Sequence, residues 1–284
     1  MKSLDNTIKF YELLMYYKDT SIYEKYSLPE GFHFEFYKDG DMNNWINIHI
    51  ESGEFCAIEE GINIFHNFYD SFIHELDKRC IFIVDDITNK KVGTATISLL
   101  SEKEYGYNGA VDWVAIKRDY QGRKLSRPLI TKILEIASEL GHKDIILHTQ
   151  TTTWLAAKLY LDFGFNVLNK EEKIGWSILK TLTNHSKLSE YEVLEKEDIY
   201  DKRNIEIELQ LKQIFKNSNF NYSVWYKNGL HNVYVYYQYN TYEYEYFEEK
   251  DKIRLVEVKN KDIRKIYAEN TIKNGWSRMY IYSN

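Results

Sequence analysis

One stretch of this chain, residues 109–141, constrains the fold more than any other, because it joins an apolar strand directly to an amphipathic helix. The run "GAVDWVAIKRD" is typical of a largely buried strand. In the helix that follows, apolar residues recur at spacings of four and three: Leu125, Leu129, Ile133, Ile136 and Leu140. Gly141 ends the helix, since glycine is the usual residue just beyond a helix C-terminus. A strand that runs into such a helix predicts an α/β sheet with helices packed on it.

The turn between this strand and helix, "YQGRKLSRPL", admits two interpretations: a phosphate-binding turn or the basic start of a surface helix. Pro128 shows that these two places coincide, because proline is tolerated in the first turn of a helix and breaks its interior. The helix should therefore begin near Lys124 or Leu125. The N–H groups of Gly122 to Ser126 then have no partner within the helix and lie at the positive end of its dipole. The turn is shaped for a phosphate-rich ligand.

The other elements up to residue 182 complete a sheet. Apolar and alternating runs predict strands at 32–38, 80–86, 91–100 and 143–149, and helices after Asp41, over 59–76 and over 151–163. We also expect a short amphipathic helix within the first 30 residues, and a closing antiparallel pair made of "FNVLN" and "EKIGWSILKTL". This order predicts the α/β class, with a mixed, mostly antiparallel central sheet and helices on both of its faces.

Beyond residue 184 the sequence becomes rich in charge and in tyrosine, of which the chain has 25 against two prolines. Charged helices come first, and three or four tyrosine-rich strands follow, with "YKNGLH" as a hairpin turn because Asn-Gly accepts positive φ. A helix at 260–273 and a strand "RMYIYS" end the chain. We therefore expect two domains, residues 1–183 and a smaller α+β domain at 184–284. Its tyrosines either fill its own core or form the surface of a homodimer.

Composition excludes several classes of protein. The net charge of −6 argues against a nucleic-acid partner, which calls for a positive face. No apolar run reaches about 18 residues, so we expect no membrane span, and the N-terminus lacks the pattern of a signal peptide. Two cysteines, Cys56 and Cys80, are too few for a disulfide framework or a metal site. The sequence thus predicts a cytoplasmic globular protein without a metal.

The turn itself resembles that of the GNAT superfamily of N-acetyltransferases, which use acetyl-coenzyme A (acetyl-CoA). The family's pyrophosphate turn has the pattern Q/R-x-x-G-x-G/A at the start of the helix after the fourth strand. Gln121 matches the first position, Lys124 stands where the first glycine usually lies, and Ser126 stands for the final small residue. The side chain of Lys124 would either strengthen the grip on the phosphates or crowd it.

A second motif strengthens the resemblance. The family pattern N-x-x-A-x-x-L-Y-x-x-x-G-F is met in the next helix by these residues: Ala156, Leu159, Tyr160, Gly164 and Phe165. Thr153 stands at the asparagine position, where it keeps a hydroxyl but would weaken one contact to the cofactor. The resemblance covers residues 30–180 and implies a GNAT-like sheet for them.

What the resemblance implies for the cofactor is specific. The pantetheine arm of acetyl-CoA would pair with the backbone of Val114, Ala115 and Ile116, and the pyrophosphate would lie on the turn. The cofactor-binding residues expected there and at the next helix are Gln121, Gly122, Arg123, Lys124, Leu125, Ser126 and Thr153. No metal takes part in this chemistry.

The resemblance also implies direct attack of an amine on the thioester, which requires a base for the amine proton and an acid for the leaving thiolate. Tyr160 matches the family's usual acid, a phenol with a pKa of about 10. The alternative is a helix tyrosine that only packs under the sheet.

The base is open between several residues. Asp112 lies two residues before Val114 on the same strand, so we expect both side chains on one face. A carboxylate in an apolar strand with a raised pKa would suit a base, or it forms a charged pair with a neighbouring helix. His148, at a strand end, is an alternative base or a structural residue. We expect a further set of residues to line the acceptor side: His33, Trp45 and Glu54.

Two functional hypotheses follow from different classes. The first is an acetyl-CoA-dependent N-acetyltransferase that acts on a primary amine of a small molecule or a protein. The second is a non-catalytic sensor or scaffold that binds coenzyme A, in which Tyr160 and Asp112 are structural and the C-terminal domain binds a partner.

Overall fold

The computed structural model describes residues 4–227, 230–249 and 252–258. The strands are β1 (Glu12–Tyr17), β2 (Phe32–Phe36), β3 (Cys80–Asp85), β4 (Lys90–Glu104), β5 (Tyr107–Ile116), β6 (Ile145–Gln150), β7 (Asn166–Val167), β8 (Asn221–Lys227), β9 (Leu230–Tyr237), β10 (Asn240–Glu249) and β11 (Lys252–Val258). The helices are α1 (Met42–Ser52), α2 (Ile58–Tyr69), α3 (Leu76–Arg79), α4 (Ser126–Glu139), α5 (Trp154–Phe163), α6 (Lys173–Thr183), α7 (Lys196–Ile199) and α8 (Lys202–Ile214).

Within the described ranges, the first seven strands form one sheet in the order β2-β3-β4-β5-β6-β1-β7. Neighbouring strands are antiparallel except β5 and β6, which are parallel and are joined by α4. A parallel pair needs a crossover connection, and α4 is that crossover. The predicted fold class is confirmed: a mixed, mostly antiparallel sheet with helices on both faces.

Two apolar cores cover the two faces of this sheet. Ile81 and Ile97 point to the core that contains α4 and α5, whereas Cys80 and Phe82 point to the core that contains α1 and α2. Alternate residues of a strand face opposite sides, so β3 supplies both cores at once. This explains why its sequence is a continuous apolar run instead of an alternating one.

A β-bulge interrupts the pairing of β4 with β5. Thr96 lies opposite Asp112 and Thr94 lies opposite Ala115, so β5 has one more residue than β4 between these two pairs. Trp113, within the bulge, has φ of +53°, which a bulky residue rarely adopts. The bulge shifts the alternation of side chains along β5 by one position.

Two predicted elements are wrong in type. Among the described residues, the segment 4–30 contains the strand β1 and no helix, because Leu13 and Met15 alternate into the α4 core while the strand pairs with both β6 and β7. A strand buried on both faces reads as an unbroken apolar run, which hides its period. The second member of the expected closing pair is the helix α6, whereas "FNVLN" does contain the short strand β7.

Local contacts explain why α6 is a helix. The carboxylate of Glu172 accepts a hydrogen bond from the Gly175 N–H, 3.2 Å away, and caps the first turn. Trp176 and Leu179, three residues apart, are both fully buried in the core. Gly175 allows the helix to approach the segment before β1, since a Cβ there would lie 2.7 Å from Cβ of Tyr11.

The C-terminal part contains a second, antiparallel sheet in the order β11-β10-β9-β8 among the described residues. Tyr222, Tyr244 and Tyr246 are buried with apolar residues of α8, so these tyrosines fill the core of this unit, one of the two roles considered above. The segment before it returns to the first part, where Ile199 packs on Ile8 and Ile178. The predicted helix at 260–273, the strand "RMYIYS" and the Asn-Gly turn lie outside the described residues. The domain boundary at 183/184 stays a prediction.

Candidate active site

The turn between β5 and α4 has the backbone of a phosphate loop. Gly122 and Lys124 both have positive φ, +79° and +62°. Lys124 thus adopts the left-handed conformation that glycine adopts without strain, which explains why a glycine is the usual residue in the motif that the turn resembles. Helix α4 begins at Ser126 with Leu125 as its N-cap, one residue later than the sequence predicts.

The N–H groups of this turn point to no protein acceptor. In the part of the chain that the structure describes, no protein atom accepts a hydrogen bond from the N–H groups of Gly122 to Ser126. The first turn of α4 also contains no acidic side chain that would compete with an anion. These donors, at the positive end of the helix dipole, can therefore bind phosphate oxygens.

Side chains fix this turn to the sheet. The Gln121 Nε2 atom donates to the carbonyl of Ile116, 3.0 Å away, and so ties the turn to the last residue of β5. The guanidinium of Arg123 stacks on the Tyr120 ring at 4.4 Å, and the Tyr120 hydroxyl donates to the Asp85 carboxylate at 2.9 Å. These contacts hold the turn against the sheet and do not use its N–H groups.

Strands β5 and β6 separate just before this turn. They pair only at Ala110 with Ile146 and at Val111 with Leu147 among the described residues. Further along, Ala115 and Ile116 pair with β4 alone. The β6 side of Val114 to Ile116 is therefore an open strand edge, and an extended ligand can pair with such an edge as an added strand would.

Tyr160 lies on α5, the helix that follows β6 along the chain. It is only 6% exposed, and its ring packs on Phe165 in the α4–α5 core. Burial, followed by the negative charges of Glu54 and Asp112, raises the pKa of Tyr160 above the usual value near 10. The phenol therefore keeps its proton throughout the neutral range, as a proton donor must. Glu54 and Asp112 thus both lie within electrostatic reach of Tyr160.

The expected orientation of Asp112 is wrong. Because of the bulge, Asp112 shares its face with Thr96 and Ala115, on the side of α1 and α2, whereas Val114 faces the α4–α5 core. Counting two residues along a strand gives the correct face only where the strand is regular. Asp112 therefore lies on the face of the sheet opposite to the core that contains Tyr160.

Three of the other predicted side chains lie in less suitable places. Trp45 is completely buried and packs on Trp113 with ring centroids 5.2 Å apart, so it belongs to the α1–α2 core. His33 lies on β2, three strands and about 14 Å from β5. The ring of His148 lies at 2.9 Å from the Glu12 carboxylate, and this hydrogen bond is the main reason why the pKa of Glu12 is lowered.

Thr153 is at the N-cap of α5, but its hydroxyl is used within the protein. It donates to the carbonyl of Gln150 at 3.1 Å and lies 3.2 Å from the Thr149 hydroxyl. A contact from this hydroxyl to a ligand would therefore have to share or replace one of these bonds.

No sequence pattern predicts one contact beside the turn. The Arg118 Nη2 atom donates to Asn221 Oδ1 at 2.8 Å, and Asn221 Nδ2 donates to the carbonyls of Ile50 at 2.6 Å and Phe55 at 3.1 Å. The first residue of the C-terminal sheet thus joins the turn to the end of α1. A lone asparagine about 100 positions away carries no local pattern that predicts this.

Two classes of feature are absent from the described ranges. No helix there is long and apolar enough to cross a membrane. No group of three or more His, Cys, Asp or Glu side chains in those same ranges has an arrangement that could hold a metal ion.

Comparison with known proteins agrees with this geometry. Residues 42–165 match the family model described as the acetyltransferase (GNAT) family. No curated protein sequence matches the chain.

Three solved structures illustrate the similarity. A GCN5-related N-acetyltransferase from Sphaerobacter thermophilus has 15% identity and a TM-score of 0.45, over 57% of this chain and 50% of that one. A GNAT-family acetyltransferase from Colwellia psychrerythraea has 12% identity and a TM-score of 0.43, over 58% and 55%. Glucosamine-6-phosphate N-acetyltransferase from Arabidopsis thaliana has 12% identity and a TM-score of 0.34, over 46% and 90%. The match with the first of these spans about half of its length.

Proposed function

We propose that this chain, whose residues 42–165 match the family model of the GNAT acetyltransferases, transfers the acetyl group of acetyl-CoA to a primary amine of a small molecule or a protein. The proposal rests on two features that follow each other directly along the chain. The open edge of β5 at Val114–Ile116 leads directly into a turn whose N–H groups, from Gly122 to Ser126, have no protein acceptor among the described residues. An extended ligand that ends in phosphates matches this sequence of features.

The cofactor would be bound mainly by backbone. Amide groups of Val114 to Ile116 would pair with the pantetheine arm, and the N–H groups of the turn would bind the pyrophosphate. Arg123 and Lys124 are both exposed and add positive charge next to the phosphates. Since backbone donors do most of this work, the lysine at a glycine position does not remove the site.

The chemistry needs two proton transfers. In the proposed reaction, the amine nitrogen attacks the thioester carbonyl carbon, the C–S bond breaks, and the thiolate leaves. The carboxylate of Asp112 accepts the proton of the attacking amine from the α1–α2 side, and the Tyr160 hydroxyl donates a proton to the thiolate. The phenol is protonated before each turnover, since burial keeps the pKa of Tyr160 above its usual value near 10.

Two measurements test the proposal. Acetyl-CoA at a hundredfold excess over its dissociation constant should stabilise the protein by about 2.7 kcal/mol in a thermal-shift assay. Release of free thiol should then occur with at least one member of a panel of primary amines. Absence of any shift would contradict the proposal, whereas a shift without thiol release from any amine would favour the sensor.

A substitution separates catalysis from packing. We expect Tyr160→Phe to lower kcat by about a hundredfold, because it removes the proton donor and keeps the ring that packs on Phe165. Tyr191→Phe is the control, since it removes a phenol hydroxyl from a half-buried tyrosine whose ring lies against Trp176. If Tyr160→Phe keeps the wild-type kcat, the assignment of the acid is wrong.

A further inference from the structure

A cavity of about 590 Å³ lies beside the phosphate turn, in the size range of small-molecule sites. The GNAT domain contributes Gly53, Arg118, Gln121 and Gly122 to its walls, and the C-terminal part contributes the end of α8 and the segment that leads into β8. The cavity thus shares two residues, Gln121 and Gly122, with the turn that would bind the pyrophosphate.

The walls of this cavity are fixed by hydrogen bonds. Asn221 accepts from Arg118 at 2.8 Å and donates to the carbonyl of Ile50 at 2.6 Å, so the C-terminal wall is tied to the GNAT domain. Gly53, with φ of +105°, allows the guanidinium to come this close, because a Cβ there would lie 3.0 Å from Arg118 Nη2. The cavity is therefore built by the contact between the two parts of the chain.

The chemistry of the C-terminal wall suits a nucleotide. Phe220 offers an aromatic ring on which a base can stack, and the exposed amide of Asn217 offers both a donor and an acceptor to a base edge. Lys212 lines the same wall with its side chain 40% exposed. Its partner Glu208, at 2.6 Å, also accepts from the Tyr222 hydroxyl at 3.1 Å. With Arg118, the cavity has one excess positive charge.

We propose that this cavity binds the adenosine 3′-phosphate end of coenzyme A, with Lys212 at the 3′-phosphate and Phe220 at the adenine. This inference rests on the proposed function, since it requires the pyrophosphate on the turn. The nucleotide is favoured over the acceptor amine because the cavity adjoins Gln121 and Gly122, whereas neither Asp112 nor Tyr160 is among the described residues that line it. The C-terminal part thus completes the cofactor site.

The test compares coenzyme A with dephospho-coenzyme A, which lacks only the 3′-phosphate, by isothermal titration calorimetry on the full chain. The wild-type protein should bind coenzyme A about tenfold more tightly, as expected for one charge-assisted contact. In the Lys212→Gln variant the two ligands should bind with about equal affinity, and Lys212→Arg should restore the preference for coenzyme A. Lys202→Gln, an exposed lysine at the other end of α8, is the matched control and should keep the preference.

A second variant leaves the Lys212–Glu208 ion pair intact, so its effect on binding does not come from a folding defect caused by loss of that pair. Asn217→Asp places a negative charge in the cavity without changing that pair. It should weaken the binding of coenzyme A severalfold more than the binding of dephospho-coenzyme A. Equal affinity of the wild-type protein for both ligands would overturn the inference and leave the proposed function intact. So would a Lys212→Gln protein that keeps its preference, or one in which only the KM of an acceptor amine changes. If the wild-type protein binds neither ligand, the proposed function itself fails.

Discussion

The phosphate turn and the bulge of β5 use the same uncommon backbone conformation for opposite purposes. Each contains one non-glycine residue at positive φ, Lys124 at +62° and Trp113 at +53°. The side chain of Lys124 is exposed, and the turn leaves its N–H groups to the solvent. Trp113 instead packs on Trp45 and Phe68 with ring centroids 5.2 and 5.4 Å away.

The comparison shows which interactions keep a residue in a strained backbone conformation. Left-handed backbone costs about 1–2 kcal/mol for a residue with a Cβ, and this cost must be offset by other interactions. Aromatic packing offsets it at the bulge, where the extra residue of β5 leaves Asp112 on the α1–α2 face. At the phosphate turn the side chain of Lys124 is exposed, so packing offsets little of the strain there. The same replacement by glycine should therefore have opposite effects at the two sites.

The largest effect is expected from Trp113→Gly. Relief of the strain is small beside the loss of a large aromatic side chain from a core, so we expect the free energy of unfolding to fall by about 3 kcal/mol. Denaturant unfolding measures this directly. Trp113→Phe, which keeps a ring, is the control and should cost less. A glycine variant as stable as the wild type would show that packing does not hold the bulge.

The second largest effect is expected from substitution of Asp112, the carboxylate at the bulge. We expect Asp112→Asn to lower kcat about a hundredfold, or about 2.7 kcal/mol in the barrier, because an amide cannot accept the proton of the amine. The dissociation constant of acetyl-CoA should stay unchanged, since the bulge does not form the phosphate turn. Asp119→Asn, in the half-turn just before the phosphate turn, is the matched control. A larger loss in Glu54→Gln than in Asp112→Asn would assign the base to Glu54 instead.

The smallest effect is expected at the phosphate turn. Lys124→Gly should raise the free energy of unfolding by about 1 kcal/mol, because glycine adopts positive φ without strain. It should also raise the dissociation constant of acetyl-CoA a few-fold, because one positive charge is removed. Lys124→Ala loses the charge but keeps the strain, so it should share the weaker binding without the gain in stability. Loss of stability in Lys124→Gly would mean that its side chain has an undetected structural role.

The sequence predicts the elements of the site better than their orientation. The turn at 121–126, the helix α4 and the position of Tyr160 were all predictable, because Pro128, Gly122 and the apolar spacing act over a few residues. The face of Asp112 was not, since one extra residue in β5 relative to β4 reverses it, and this register exists only when the two strands pair.

The wrong helix at the N-terminus has a related cause. The residues of β1 are apolar on both faces, so their sequence has no clear period. Only the pairing with β6 and β7 makes them a strand. For α6 the deciding contacts were a cap from Glu172 and a close approach to Tyr11, neither of which the strand-like sequence of this segment indicated.

The sequence by itself determined the local chemistry of this protein: a basic turn at a helix start, a tyrosine on the next helix and an apolar strand that leads to both. These depend on residues within a few positions of one another, for which backbone preference and helix geometry are sufficient. Only the tertiary structure decided that β5 and β6 separate before the turn, that Asp112 lies on the α1–α2 face of the sheet, and that Asn221 joins the C-terminal sheet to the turn. Those features depend on strand register and on contacts between distant segments, which form only when the whole chain packs.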